Sequence, residues 1–155
     1  EGEILMKKII LIFSFLVCNI FAWQTYETEA GGVGIYQNCV AGENAGQIMI
    51  FKENNSYKLC FVTQKYELQA YDPWNVDIPR VTVKCENDKG KGEEFFIQGS
   101  YNAVNATQFG FKDNYLSYLS NSKWVKFSFS IKGSGLKPFK FDFNGFNTAI
   151  KKVKE

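Results

Sequence analysis

The segment Lys123–Phe143 reads KWVKFSFSIKGSGLKPFKFDF, and it is the stretch that decides the fold. Its first half alternates valine, phenylalanine and isoleucine with lysine and serine, and its second half alternates phenylalanine with lysine and aspartate. Period-two alternation is typical of strands with one buried and one solvated face. The link Gly133–Gly135 can adopt the positive-φ conformations that a tight connection needs. The segment therefore predicts an antiparallel hairpin with phenylalanines on its inner face.

Short strand-like runs separated by turn residues recur along the rest of the chain. The predicted strands are Gly34–Val40, Gln47–Lys52, Tyr57–Thr63, Arg80–Cys85, Glu94–Gln98 and Ala103–Phe111. Apolar residues at helical spacing predict two short helices, at Asn114–Ser120 and Phe146–Val153. The whole pattern predicts a mainly β fold, a single antiparallel β-sandwich or flattened barrel with a short C-terminal helix.

Residues 6–22 have the pattern of a secretory signal peptide. Two lysines follow Met6, the run Ile9–Phe21 is apolar apart from Ser14 and Asn19, and Ala22 is a small residue at a cleavage point. The run is shorter than the roughly 20 residues that a transmembrane helix needs. We therefore expect cleavage after Ala22, export to the periplasm or the exterior, no stable membrane span afterwards, and one β-rich domain over residues 23–155.

Two details of this region leave alternatives open. Residues 1–5 (EGEIL) can be encoded by codons that contain a bacterial ribosome-binding site, so we expect an untranslated leader read in frame; a genuine extension is the alternative. Cys18 raises the alternative of a lipoprotein, although the branched Val17 stands where a lipobox has a small residue.

Composition excludes several classes of function. Histidine is absent, so Ser-His and Cys-His catalytic pairs are excluded and a zinc site lacks common ligands. The net charge is +2 and no basic cluster is present, so the chain lacks the basic surface that nucleic-acid-binding proteins use. The carboxylates lie beside turns or at outward strand positions, where solvated acids are ordinary. We therefore expect no enzymatic activity, no cofactor and no metal.

Three cysteines remain after the predicted cleavage site: Cys39, Cys60 and Cys85. An oxidising compartment allows one pair to close and leaves one thiol over. Cys60 and Cys85 both lie in strand-like runs, so a disulfide between them is the first expectation. A Cys39–Cys60 disulfide is the alternative.

The loop Tyr71–Pro79 (YDPWNVDIP) is the most unusual stretch of the chain. Two prolines and an indole in a long connection can present an aromatic contact to a protein, peptide or sugar. We predict a partner-binding surface there from Tyr71, Asp72, Trp74 and Asp77. The alternative is that Trp74 folds back as a lid on the core. Calcium is disfavoured because the glycine and the distal glutamate of an EF-hand loop are missing.

The last third of the chain combines FGFKDN, the short helical NYLSYLSNSKW, the strand VKFSFSIKGSG and the closing KFDFNGFNTAIKKV. This arrangement resembles small exported bacterial β-domains, typified by invasion-associated locus B proteins and related periplasmic proteins near type VI secretion genes. Asp113 matches the acid of a turn before the helix, and Trp23 matches an N-terminal tryptophan. The closing segment is matched by Phe141, Phe143, Gly145, Phe146, Ala149 and Ile150. The resemblance implies a sandwich-like exported domain with a binding or envelope-accessory role, and it transfers no active-site residue.

These observations favour a periplasmic binding or accessory protein that acts through a protein partner in the envelope; an inhibitor or immunity protein is one version of this role. The alternative is a carrier that holds an apolar or sugar ligand in a barrel cavity lined by Phe and Tyr. The two differ in the interior, because a carrier needs a cavity and a partner-binding module has a filled core and an exposed aromatic patch.

Overall fold

The computed structural model describes residues 23–40, 45–71, 80–89, 95–111 and 113–155. The predicted leader, the signal peptide and Cys18 lie outside these residues. The described strands are β1 (Gln24–Glu27), β2 (Val33–Asn38), β3 (Gln47–Glu53), β4 (Ser56–Val62), β5 (Ala70–Tyr71), β6 (Arg80–Asn87), β7 (Phe95–Ala103), β8 (Ala106–Gly110), β9 (Trp124–Ile131) and β10 (Gly135–Asp142). The described helices are α1 (Asp113–Ser120) and α2 (Phe146–Ile150). Neither helix is long and apolar enough to cross a membrane.

All strand pairs are antiparallel and belong to one sheet, in the order β1-β2-β3-β4-β8-β7-β6-β9-β10, with β5 paired to β6. The sheet is not closed, since β1 and β10 form its two ends. One backbone hydrogen bond nevertheless joins the segment after β2 to β10: the N–H of Val40 donates to the carbonyl of Lys140 at 2.9 Å. The prediction of a mainly β antiparallel fold is confirmed.

The sheet folds over so that its two halves face each other. Phe61 in β4 and Phe129 in β9 stack with ring centroids 3.8 Å apart, although β8, β7 and β6 lie between their strands in the sheet. The core between the halves contains alternate residues of β2, β3, β4, β6, β8, β9 and β10, together with side chains of both helices. Folding a single sheet in this way buries one face of each strand, as in a sandwich.

The hairpin Lys123–Phe143 forms as its alternation predicts. The burial of β9 alternates at every residue, and Phe127 pairs with Phe139 across β9 and β10. Gly133 and Gly135 have φ values of 73° and 68°, which the turn requires and which favour glycine.

The segment Ala103–Phe111, predicted as one strand, is instead the end of β7, a turn and β8. The turn is at Val104 and Asn105, and the register of β7 against β8 shifts between Tyr101 and Ala103. Asparagine favours turns, and its effect here outweighs the apolar pattern on both sides.

The final helix is shorter than the predicted Phe146–Val153. It begins after Gly145, which has a φ of 78°, and ends at Ile150. Val153 is still buried in the core, but Lys154 pairs with Val33 through two backbone hydrogen bonds of 2.8 and 2.9 Å. Pairing with the start of β2 requires extended backbone, so the helix cannot continue.

Candidate partner-binding surface

The structure describes little of the loop that the sequence singles out. Tyr71 ends β5 and its backbone pairs with Arg80, but Asp72, Trp74 and Asp77 lie outside the described residues. The partner-binding surface predicted at Tyr71–Asp77 therefore stays a prediction.

The three described cysteines are buried and no disulfide joins any two of them, so the structure does not support the predicted disulfide. Cys85 and Cys39 belong to the core, whereas Cys60 belongs to a hydrophobic cluster on the opposite face of the sheet. Neighbouring residues of a strand point to opposite faces, and Cys60 lies between the core residues Leu59 and Phe61. The sheet therefore separates Cys60 from Cys85, and it also separates Cys60 from Cys39, the alternative partner.

The buried thiols are poor nucleophiles. Burial raises the pKa of Cys60 to about 12 and that of Cys85 to about 12, and a hydrogen bond from Tyr118 only partly opposes the effect at Cys85. A thiol with such a pKa is almost wholly protonated near neutral pH. Among the described residues there is also no group of three Cys, Asp or Glu side chains that could hold a metal ion.

The interior between the two halves of the sheet is occupied by aromatic side chains. Besides the Phe61–Phe129 stack, Phe61 contacts Phe139 with centroids 4.7 Å apart. At the other end of the core, Trp23 contacts Phe143 at 5.1 Å and Phe146 at 5.3 Å. Rings at these separations are in van der Waals contact. This part of the interior is filled by side chains. A filled core is expected of a partner-binding module, whereas a carrier needs a cavity.

The outer face of β6, β9 and β10 presents an aromatic ring with two cations. Trp124 is half-buried, with Lys140 Nζ 4.9 Å and Lys126 Nζ 5.6 Å from the centroid of its indole. Both distances are within the range of a cation–π interaction. We call the surface formed by Trp124, Lys126, Lys140 and Glu86 the tryptophan face.

The two lysines of the tryptophan face differ in their ion pairs. Lys126 and Lys140 are directly opposite each other in the β9–β10 ladder, and such like-charge pairs are destabilising. Lys126 forms an ion pair with Glu86, with Nζ and Oε1 2.6 Å apart. Lys140 has no carboxylate within ion-pair distance among the described residues. Among the described residues, the ammonium group of Lys140 therefore forms no ion pair, although it lies beside the indole of Trp124.

The sequence pattern already placed Lys126 and Lys140 on the solvated side of the hairpin. It did not indicate that they oppose each other, or that Glu86 of the distant strand β6 lies beside them. The register of the hairpin and the β6–β9 pairing bring these side chains together.

Comparison with known proteins supports the fold. No protein-family model matches the sequence, and no curated protein matches it. Among solved structures, the chain is similar to invasion associated protein B from Bartonella henselae, with a TM-score of 0.57 and 16% sequence identity. The match covers 88% of this chain and 94% of that chain, so the likeness extends well beyond the last third on which the sequence resemblance rested. The chain therefore shares the fold of that protein over most of its length.

Proposed function

We propose that the chain is an exported, non-enzymatic accessory protein of the periplasm or cell envelope, and that it binds a protein partner through the tryptophan face. The observation that carries the proposal is Lys140, whose Nζ lies 4.9 Å from the centroid of the Trp124 indole and forms no ion pair among the described residues. Tryptophan and cationic side chains are frequent among the residues that dominate binding energy at interfaces. The name of the structural neighbour associates that protein with invasion, which agrees with an accessory role.

The charge of the surface indicates the chemistry of the partner. A carboxylate of a partner placed near Lys140 would complete the pairing that Glu86 already gives to Lys126. Complementary charges of this kind increase the association rate and select against wrong partners. The partner is therefore a protein with an acidic side chain at the centre of its contact surface, as expected of an inhibitor or immunity-type complex.

Photocrosslinking in the source organism tests the proposal. A photoreactive amino acid at Ser128, which lies on the same outer face of β9, is expected to yield one protein adduct that mass spectrometry identifies. Lys140→Glu is expected to abolish the adduct and to weaken binding of the identified partner at least about tenfold, since close interfacial charge pairs have coupling energies of about 1.5–7 kcal/mol.

Two controls separate this surface from others. Lys151→Glu makes the same charge change at an exposed residue after α2 and is expected to leave the adduct unchanged. Trp74→Ala tests the loop predicted from the sequence. An adduct that survives Lys140→Glu but is lost in Trp74→Ala would assign the contact to the loop and contradict the proposal.

A further inference from the structure

One end of the folded sheet is formed by three neighbouring segments. They are residues 64–67 after β4, the β7–β8 turn at Val104 and Asn105, and residues 132–137 of the β9–β10 turn and early β10. We call this surface the loop end. It lies at the opposite end of β9 from Trp124, about 23 Å along the strand, so it is separate from the tryptophan face.

Backbone hydrogen bonds hold the three segments together. The N–H of Leu68 donates to the carbonyl of Val104 at 2.7 Å, which joins the segment after β4 to the β7–β8 turn. The N–H of Lys132 donates to the carbonyl of Glu67 at 2.9 Å, which joins the same segment to the β9–β10 turn. Leu68 also forms an antiparallel bridge with Ile131. The loop end is therefore a continuation of the sheet with a defined geometry.

The loop end carries both of the large hydrophobic side chains that are exposed among the described residues. Val104 is 56% exposed and Leu136 is 45% exposed. Three strand spacings separate them, because Val104 is next to Leu68, Leu68 is next to Ile131, and Leu136 lies opposite Ser130 in the β9–β10 ladder. At about 4.8 Å for each spacing, the backbones at the two apolar residues are about 14 Å apart.

Two lysines of the loop end converge on one tyrosine ring. Lys137 Nζ lies 5.1 Å and Lys65 Nζ lies 5.3 Å from the centroid of the Tyr66 ring, within the range of a cation–π interaction. The ring packs edge-on against Phe139 of the core, with centroids 6.2 Å apart, and this contact fixes its position. Neither lysine forms an ion pair among the described residues. Two ammonium groups are therefore held near each other without a carboxylate partner.

The charge of the loop end requires an anionic partner. The surface contains three lysines and one glutamate, and the glutamate, Glu67, is paired with Lys132 at 3.0 Å. Lys65 and Lys137 account for the remaining positive charge. An exposed ion pair such as Lys132–Glu67 contributes little to stability, so Lys132 can also turn toward an anion.

This combination of side chains fits the surface of an anionic lipid bilayer. Exposed apolar side chains enter the boundary between headgroups and acyl chains, lysines around them bind anionic headgroups, and tyrosine is enriched at the same depth. Two apolar side chains about 14 Å apart can insert separately into a fluid bilayer. A stable protein interface instead needs a continuous contact of about 800 Å² per partner.

We propose that the loop end binds anionic phospholipid membranes, with Val104 and Leu136 inserted at the interface and Lys65 and Lys137 on the lipid phosphates. The proposal does not rest on the tryptophan face. With the loop end on a bilayer, Trp124 at the far end of β9 stays in water, where it is accessible to a protein.

Co-sedimentation of the full chain with lipid vesicles tests the charge contribution. The readout is the affinity for vesicles of phosphatidylcholine and phosphatidylglycerol divided by the affinity for pure phosphatidylcholine, because the apolar run Ile9–Phe21 contributes to both and cancels. Each lysine near an anionic surface contributes about fivefold, so Lys65→Gln with Lys137→Gln should lower this ratio at least about tenfold. The matched control, Lys151→Gln with Lys152→Gln, removes two charges at exposed residues after α2 and should change the ratio less than about twofold.

A fluorophore at position 136 tests insertion. Leu136→Cys in a chain with Cys18→Ser is labelled in native buffer with an environment-sensitive maleimide, since the described cysteines are buried. The emission is expected to shift to shorter wavelength when vesicles with phosphatidylglycerol are added. The same label at Lys151→Cys is expected to show no shift.

Three results would overturn the proposal. They are an affinity ratio near one for the unmodified chain, an equal fall of the ratio in both lysine pairs, and an unshifted label at position 136 on vesicle-bound protein. If the ratio is near one and a photoreactive residue at position 136 yields a protein adduct in cells, the loop end belongs to a protein partner instead. The vesicles contain no protein, so failure of the tryptophan face as a binding site would leave the vesicle results unchanged.

Discussion

Exchange of Phe61 and Phe129 for leucine, singly and together, tests whether the two halves of the sheet face each other. The two rings are fully buried and stack with centroids 3.8 Å apart and an interplanar angle of 11°. Each single exchange removes ring atoms from a packed core, and we expect it to lower the free energy of unfolding by about 1–3 kcal/mol. Aromatic pairs in contact contribute about 0.5–1.5 kcal/mol beyond the area they bury. The double-mutant cycle should return a coupling energy of that size.

Urea unfolding followed by far-UV circular dichroism gives the four free energies of the cycle. Phe61 and Phe146 are a matched control, because both are buried in the core and no ring contact joins them among the described aromatic pairs. Distant pairs usually add within about 0.5 kcal/mol. A coupling between Phe61 and Phe129 no larger than that of the control pair would refute the folded-over arrangement of the sheet.

Three further predictions follow from local contacts. Gly46→Ala should lower the free energy of unfolding by about 1–3 kcal/mol, measured by urea titration, because an added Cβ would lie 2.7 Å from the ring of Phe61; an unchanged midpoint would contradict this contact. Burial acts to raise the pKa of Asp88, but hydrogen bonds from backbone N–H groups, including that of Lys123 at 2.7 Å, lower it overall. Since the folded pKa is the lower one, Asp88→Asn should reduce stability at pH 7, and the difference from wild type should vanish as the pH falls through the folded pKa in thermal unfolding scans. Maleimide labelling in denaturant without reductant should label all three described cysteines, and labelling of only one of them would contradict the absence of a disulfide between them.

The fold class could be predicted because the decisive information is local. Alternation in β9 and β10 identifies the buried face directly, and the glycines between them locate the turn. The order of the strands could not be predicted, since the β4–β8 and β6–β9 pairs join residues far apart in the sequence. Pairings of that kind depend on packing of the whole sheet rather than on any one segment.

The same dependence on strand pairing explains why the sequence led to an expected disulfide that the structure does not support. Both cysteines lie in strands, but the side of the sheet on which each one lies depends on strand pairing, which places Cys60 outside the core and Cys85 inside it. A signal for the hydrophobic cluster around Cys60 was nevertheless present. The runs IMIF in β3 and LCFV in β4 are apolar at consecutive positions, as strands buried on both faces are.

The pairing of Lys154 with Val33 has a consequence for the time at which the domain can form. β2 is made early in synthesis, but its first residue has no partner on this side until about 120 further residues have left the ribosome. Contacts of such long sequence separation slow folding, because the loop they close must be ordered first. The contact that continues β2 at Val33 can therefore form only after almost the whole chain has been synthesised.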